Sequence, residues 1–275
     1  MTAGAISRTA RVAMKMTERL PVLRQLGSLA YSAHFNAAGG QSRLFRGIYS
    51  SFAEASRHIP PNRLEGYDNE PSAHRLAQER LRIFPFDYPV MFWLSRLLPE
   101  CRLLFDLGGH VGISYFAYRR YLTYAADLNW LVCDMPAIVA LGRKIAADES
   151  APNLGFTTTL EQVAHADILL AAGSLHFIED PFASLRAAAA LPRHLILNKV
   201  PAYELPSAVT LHNMGSAFCP YHLFNRAEFV REVERLGYRL LDEWKSPDIS
   251  CRIPYFASHS IPAYTGFYFC RSEVA

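Results

Sequence analysis

The stretch that decides the fold is Leu103-Leu104-Phe105-Asp106-Leu107-Gly108-Gly109-His110-Val111-Gly112, an apolar strand that runs into a glycine-rich turn. Gly108 and Gly109 let the backbone turn sharply and approach a ligand, and Gly112 allows close packing of the following helix. Ligands of open α/β sheets bind beyond the carboxyl ends of the strands, so this turn predicts a binding crevice. The spacing G-G-x-x-G differs from the dinucleotide fingerprint, and Asp106 suits an amine-bearing ligand better than a pyrophosphate.

A second acidic residue ends the next β-rich run, in Trp130-Leu131-Val132-Cys133-Asp134-Met135-Pro136. A carboxylate at this place can accept hydrogen bonds from both hydroxyls of a ribose. The alternative is an Asx-type cap of the helix that begins near Pro136, and the two roles are compatible. The sequence therefore predicts an acid at the ends of two successive strands.

From Arg102 onward, β-rich runs alternate with helical patterns, which predicts a mostly parallel sheet with crossover helices. We expect the last of seven strands to be antiparallel, because a proline-containing, non-helical connection precedes it. The predicted strands are Arg102–Asp106, Trp130–Asp134, Gly155–Thr158, Asp167–Ala172, His194–Lys199, Tyr238–Trp244 and Thr265–Cys270. The longer predicted helices between them are Ser114–Tyr124, Ala137–Ala147, Pro181–Ala190 and Arg226–Leu236.

The first hundred residues lack this alternation. Helical patterns at Ser72–Ile83 and Pro89–Leu98 predict an N-terminal helical cap near the carboxyl edge of the sheet. We therefore divide the chain into an N-terminal helical region, residues 1–99, and a ligand-binding domain, residues 100–275.

The composition indicates a globular protein. Of 275 residues, 51% are hydrophobic and 19% are charged, which excludes disordered, collagenous and coiled-coil classes. A formal net charge of +3 gives no support to a nucleic-acid partner. Basic residues concentrate near the start, and we interpret Arg8 to Arg24 as a solvated helix. A weak contact with a membrane surface stays open as the alternative.

The five cysteines are widely spaced and form no C-x-x-C pair, which argues against disulfides and a zinc ribbon. The sequence contains no apolar run of about 18 residues and no secretory signal pattern. These features predict a cytoplasmic protein without a transmembrane segment. They leave the oligomeric state open.

The glycine turn and the two acids resemble class I S-adenosylmethionine methyltransferases. Asp106 to Gly112 is similar to their first motif, D-x-G-x-G-x-G, with His110 in place of the middle glycine. A wider resemblance, roughly from residue 45 to residue 271, is to a bacterial family assigned to methyltransferases without an established substrate. Its motifs are Gly47–Phe52, Gly66–Asp68, Phe92–Leu94, Phe105–Gly112, Val132–Pro136, Gly173–Leu175 and Phe218–Tyr221.

The resemblance implies a Rossmann-like class I fold, S-adenosylmethionine as the cofactor and no metal. In that class Asp106 would hold the methionine amine directly or through the turn, the glycine backbone would hold the carboxylate, and Asp134 would hold the ribose. The cofactor-binding residues that it implies are Asp106, Gly108, Gly109, His110, Gly112, Asp134, Met135, Gly173 and Ser174.

The segments Cys133–Pro136 and Ser174–His176 also resemble small-molecule O-methyltransferases of the hydroxyindole and plant phenol type. A histidine in their position deprotonates the acceptor hydroxyl, so the resemblance implies that His176 is the catalytic base. A role in packing or in hydrogen bonding is the alternative. His110 either hydrogen-bonds the cofactor carboxylate or fills space.

The long connection after the fifth strand, residues 201–225, predicts an acceptor pocket, because it exceeds ordinary loop lengths. The candidate substrate-binding residues are Tyr203, His212, Asn213, Tyr221 and His222. An ordinary packed connection is the alternative, and the pairing of Cys219 with His222 is too sparse to predict zinc.

The favoured function is O-methylation of a small molecule or glycan. A catalytically inactive scaffold that binds the cofactor or its demethylated product is the first alternative. A dinucleotide-dependent oxidoreductase is the second, and the glycine spacing argues against it.

Overall fold

The computed structural model describes residues 21–39 and 43–271 and contains two β-sheets with helices around them. The helices are α1 Pro21–Ala37, α2 Phe52–Ser56, α3 Glu70–Leu76, α4 Tyr88–Leu97, α5 Ile113–Tyr118, α6 Pro136–Asp148, α7 Ala183–Ala187 and α8 Arg226–Arg235. The strands are β1 Leu44–Tyr49, β2 Leu103–Leu107, β3 Asn129–Cys133, β4 Leu154–Thr157, β5 Ile168–Ala172, β6 His194–Val200, β7 Ala202–Tyr203, β8 Ala208–Asn213, β9 Phe218–Asn225, β10 Tyr238–Ser246 and β11 Tyr264–Arg271.

The larger sheet has seven strands in the order β10-β11-β6-β5-β2-β3-β4. Strands β4, β3, β2, β5 and β6 are parallel, whereas β11 runs antiparallel to both β6 and β10. This order, with a reversed last strand, is the predicted Rossmann-like class I methyltransferase fold, so the fold prediction is confirmed. All seven predicted strands are present, and their ends shift by at most two residues.

Side chains of the central strands alternate between two buried layers, as the period of a strand requires. Leu104 and Trp130 face the layer that contains α4 and α5, whereas Phe105 and Leu131 face the layer that contains α8. Covered faces on both sides explain why these strands are almost continuously apolar. The strand alternation also places Asp106 on the same face as Leu104, inside the α4 and α5 layer.

A second sheet of four strands, in the order β1-β8-β9-β7, corrects two sequence predictions. The first hundred residues were predicted to be helical, but they supply β1, which pairs antiparallel with β8. Residues 201–225 were predicted as a loop, but they form β7, β8 and β9. A bulge in β1 at Gly47 and the proline at position 220 within β9 disrupt the usual strand pattern.

Three helices are shorter or more divided than predicted. The predicted helix Ser72–Ile83 separates into α3 and a 3-10 helix, Ala77–Leu81, and α5 and α7 each end early. The division of the chain at residues 99 and 100 stays a prediction, since β1 joins a sheet built mainly from residues beyond it.

The basic N-terminal segment lies mostly outside the described residues, so its predicted membrane contact stays a prediction. Of its cations, Arg24 is described, and its guanidinium donates to the Tyr255 carbonyl at 3.0 Å. None of the described helices is long and apolar enough to cross a membrane. All five cysteines have free thiols.

Asn213 connects the second sheet to α1. Its buried amide donates to the carbonyls of Phe35 at 2.6 Å and Ala38 at 2.9 Å.

We expect Asn213→Ala to lower the free energy of unfolding by about 2–3 kcal/mol, because both carbonyls lose a donor. Urea denaturation measures this loss. The control Asn129→Ala, at an exposed position that begins β3, should have little effect, and equal stability of the two variants would contradict the assignment.

Candidate functional site

The turn after β2 has an unusual backbone that brings it against the end of β3. Gly108, His110 and Gly112 have φ angles of 70°, 56° and 85°, in the left-handed region that favours glycine. His110, although it has a β-carbon, therefore adopts a backbone conformation that glycine adopts more readily. The Gly108 N–H donates to the Cys133 carbonyl at 2.8 Å, which fixes the turn to β3.

The Asp106 carboxylate lies directly beneath this turn. A β-carbon on Gly109 would lie 2.5 Å from the Asp106 Cγ, so only glycine fits there. The carboxylate is fully buried, and its Oδ2 accepts a hydrogen bond from Trp130 Nε1 at 3.0 Å. Its Oδ1 has no hydrogen-bond partner in the described part of the chain. Burial, reinforced by the charge of Asp134, raises the pKa of Asp106 to about 7, although the Trp130 hydrogen bond opposes this shift.

Asp134 links the turn to α6. Its Oδ2 accepts the His110 N–H at 2.9 Å, and its Oδ1 accepts the Met135 N–H at 2.8 Å. Each oxygen keeps a further lone pair, so both can still accept a hydrogen bond from a ligand. Burial raises the pKa of Asp134 to about 6, against the lowering effect of these two N–H donors.

The cap of α6 comes from Asp68 rather than from Asp134. Asp68 Oδ1 accepts the Ala137 N–H at 3.1 Å, at the first turn of the helix. This corrects the interpretation of Asp134 as the Asx-type cap. It also brings the N-terminal segment to the end of β3, which sequence reasoning missed.

His110 and Met135 differ in exposure. Burial lowers the pKa of the His110 imidazole to about 4, against an opposing effect of the Ser72 backbone, so the ring is neutral at pH 7. Met135 is 45% exposed at the start of α6. The two residues that donate their backbone N–H groups to Asp134 thus have a buried polar ring and an exposed apolar side chain.

The turn after β5 packs against the turn after β2. The Ser174 hydroxyl donates to the Leu107 carbonyl, and a β-carbon on Gly108 would collide with the Ser174 Cβ. Gly173, at the end of β5, has a φ of 94°. The structure thus brings together the predicted cofactor-binding residues of β2, β3 and β5.

His176 follows in a 3-10 helix, Leu175–Phe177, and is only 4% exposed. Its ring centroid lies 4.2 Å from that of Tyr221, and its Nδ1 has no hydrogen-bond partner among the described residues. Burial, with smaller effects from His212, Lys199 and His222, holds the pKa of His176 well below its usual range. The imidazole is therefore neutral in the folded protein.

The predicted substrate-binding residues separate into two groups. Tyr221 and His212 belong to the aromatic cluster around His176, and the Tyr221 hydroxyl lies 2.7 Å from that of Tyr264. Tyr203 packs at the margin of the cluster and donates to the Pro206 carbonyl.

Two of these residues have structural partners instead. Asn213 binds the end of α1, and His222 Nε2 lies 3.0 Å from the Glu179 carbonyl oxygen. His222 also packs on Phe52, with ring centroids 4.5 Å apart. Within residues 21–39 and 43–271, no group of three or more His, Cys, Asp or Glu side chains could hold a metal ion.

Lys199 is the charged residue at this edge that sequence reasoning missed. It lies near the end of β6, and its ammonium faces the Phe86 ring at 5.0 Å from the centroid. A lysine that directly follows the apolar run Leu195–Leu197 and Asn198 in β6 was the available signal. Two surface cavities, of about 590 and 540 Å³, lie elsewhere, near Arg143 and near Arg235.

No family model and no curated protein matches the chain. Among solved structures, it is similar to the 1,6-didemethyltoxoflavin-N1-methyltransferase of Burkholderia thailandensis, with 13% identity over 69% of this chain and 79% of that chain and a TM-score of 0.47. It is also similar to the N-terminal domain of EvdMO1 with S-adenosylhomocysteine bound, with 16% identity over 70% and 83% of the two chains and a TM-score of 0.47.

A third similar structure is an S-adenosylmethionine-dependent methyltransferase from Mesorhizobium loti, with 14% identity over 67% and 97% of the two chains and a TM-score of 0.45. Identities and TM-scores this low assign neither a ligand nor a reaction to this chain. The function has to be argued from the residues of the site.

The raised pKa of Asp106 makes stability depend on pH. The folded pKa exceeds that of the unfolded chain, so ionisation above pH 7 destabilises the folded state, and this penalty disappears as the pH falls through 7 towards 4. We expect Asp106→Asn to melt at a higher temperature than the parent at pH 8, with a difference that shrinks towards pH 4.

Thermal melts across this pH range measure the effect. Asp148→Asn, at an exposed position that ends α6, is the matched control and should follow the parent at every pH. A lower melting temperature for Asp106→Asn at pH 8 would show that the buried carboxylate stabilises the fold.

Proposed function

We propose that this protein transfers a methyl group from S-adenosylmethionine to an oxygen of a small molecule or glycan. One observation supports this most strongly: the His110 N–H donates to Asp134 and so joins the glycine turn to the end of β3. The turn lies directly above the buried Asp106. The arrangement offers one carboxylate for an amine and another for a ribose, on adjacent strands. The topology of the sheet agrees with such a role.

The residues at the turn fit this cofactor. Asp106 Oδ1 is a buried acceptor without a partner, which suits the ammonium of the methionine moiety. The outer lone pairs of Asp134 suit the two ribose hydroxyls, and the missing β-carbons of the turn allow a ligand to approach the backbone. When bound, the cofactor supplies a methyl group already activated on a sulfonium.

The chain itself then has to orient the acceptor, exclude water and accept a proton. His176 is the candidate base, because its imidazole is neutral and its Nδ1 is unbonded in the described structure. The surrounding rings of Phe177 and Tyr221 would exclude water and contact an apolar acceptor.

The cytoplasmic location remains a prediction from the sequence.

Asp134→Ala should weaken the binding of S-adenosylhomocysteine by about 1.5–3 kcal/mol, because hydrogen bonds to a charged group are lost. Isothermal titration calorimetry of the parent and the variant measures this difference, and circular dichroism checks that the variant folds. Asp148→Ala is the control and should bind as the parent does. Unchanged affinity in folded Asp134→Ala would refute the ribose assignment.

His176→Ala should reduce turnover by roughly 10²–10⁴-fold, as expected for loss of a general base, while the affinity for S-adenosylhomocysteine stays the same. Labelled-methyl transfer to a panel of phenols and glycans provides the assay. His165→Ala removes an exposed histidine and serves as the control. Full turnover in His176→Ala would leave His176 with a packing role.

The same assays separate the two alternatives. Binding of S-adenosylhomocysteine without methyl transfer to any acceptor of the panel would favour a scaffold. Measurable affinity for NAD, with none for S-adenosylhomocysteine, would favour an oxidoreductase.

A further inference from the structure

Strand β6 contains a bulge that redirects Lys199. Leu197 pairs with Phe267 and Val200 with Thr265, so β6 has one more residue than β11 over this interval. Lys199 has a φ of 56°, a strained conformation for a residue with a β-carbon. Bulges of this kind redirect side chains and are frequent beside active sites.

As a result, two successive side chains reach the same neighbour instead of pointing to opposite faces. Asn198 Nδ2 donates to the Phe86 carbonyl at 2.9 Å, and the Lys199 ammonium lies over the Phe86 ring. The Lys199 side chain also crosses Gly173: a β-carbon there would lie 2.9 Å from Lys199 Cε and 3.3 Å from Nζ. Gly173 thus leaves space for the lysine to reach over the end of β5.

The Lys199 ammonium has no hydrogen bond and no ion pair within the described part of the chain, apart from its contact with the Phe86 ring. Asp87 and Asp106 attract it at longer range, together with Glu79, while Arg43 repels it. Asp87 is already bonded to the Phe84 N–H and the Tyr118 hydroxyl, both at 2.8 Å. A partly buried ammonium without a direct partner is costly, which points to a ligand that completes it.

Lys199 also lies on the acceptor flank of the crevice. Asp106 and Asp134 place the cofactor over β2 and β3. Lys199 extends from β6 over β5, and these two strands lie on the side of β2 opposite to β3. The end of β5, which the Lys199 side chain crosses at Gly173, leads directly into the 3-10 helix that contains His176.

We propose that Lys199 binds the reacting oxygen of the acceptor and stabilises it as an anion. This inference rests on the proposed methyl transfer and adds a residue that holds the acceptor. A neighbouring ammonium favours the oxyanion that remains when the acceptor hydroxyl loses its proton.

The proposed step is balanced. The acceptor proton passes to His176 and later to water, and a lone pair of the oxygen forms the new bond to the methyl carbon. The carbon–sulfur bond breaks, and its electron pair stays on sulfur, so oxyanion and sulfonium become a neutral ether and a neutral thioether. Lys199 returns to its unpaired state when the ether leaves.

The test uses 4-nitrophenol, whose ionised form has its own visible absorption band. With the full chain saturated with S-adenosylhomocysteine, we expect bound 4-nitrophenol to show the phenolate band below its solution pKa. We also expect the parent to bind it more tightly than neutral 4-nitroanisole.

Lys199→Met should lose about tenfold to a hundredfold in affinity for 4-nitrophenol and should lose the phenolate band, with little change for 4-nitroanisole. Lys199→Arg keeps the positive charge, so it should retain part of the affinity for 4-nitrophenol and part of the phenolate band that Lys199→Met loses. Lys144→Met, at an exposed position in α6, is the matched control and should behave as the parent.

An identical phenolate band in folded Lys199→Met, or no preference of the parent for 4-nitrophenol over 4-nitroanisole, would overturn the inference. Calorimetry with S-adenosylhomocysteine on the same samples separates this failure from that of the proposed function. Cofactor binding without phenolate binding removes the role of Lys199 alone. Absence of cofactor binding removes both proposals.

Discussion

The crevice is arranged around one constraint. A carboxylate is buried beneath a turn that has no room for a β-carbon. Asp106 is fully buried, and Gly109 passes directly above it. Trp130 satisfies one carboxylate oxygen and leaves the other without a donor in the described chain. An unsatisfied buried acceptor lowers stability, and proteins retain such groups where a ligand uses them.

One segment of the N-terminal region contacts both flanks of this crevice. On the cofactor flank, Asp68 caps α6 beside Asp134, and Ser72 lies near the His110 ring. On the acceptor flank, Phe86 receives the side chains of Asn198 and Lys199. The chain between Asp68 and Asp87 therefore contacts both the helix that follows β3 and the end of β6.

The second sheet supplies the remaining wall. Strand β9 brings Tyr221 against His176, and β8 brings His212 into the same aromatic cluster. Strand β1 completes this sheet, and Phe45 stacks on His212 with ring centroids 4.5 Å apart. A strand that precedes the larger sheet thus joins strands that lie between β6 and β10 in the chain, although the two segments are more than 150 residues apart in sequence.

The centre of the larger sheet was predictable, because β2, β5 and β6 are mostly buried and are followed directly by Gly108, Gly173 and Pro201, so each short apolar run has one interpretation. The glycine turn and Asp134 followed from the same local pattern. The second sheet was not predictable, since its strands pair across long sequence distances and contain a bulge at Gly47 and a proline at position 220.

The same reason applies to individual residues of the site. The position of the Lys199 side chain depends on a bulge in β6, which is visible only in the register with β11. The contact of Asp68 with α6 depends on a loop that packs against this distant helix. Asn213 looked like a pocket residue, because sequence alone does not show that α1 uses its amide.

The chain has three tryptophans, whose indole N–H groups have different partners. Trp130 donates to Asp106, Trp93 to Asp242 and Trp244 to Asn198. The most direct measurement is therefore the ¹⁵N–¹H spectrum of the indole groups during titration with S-adenosylhomocysteine. We predict a saturable shift of the Trp130 resonance that far exceeds the shift of Trp93, and no such shift with NAD. Three indole resonances that stay unchanged at saturating S-adenosylhomocysteine would contradict a cofactor site above Asp106.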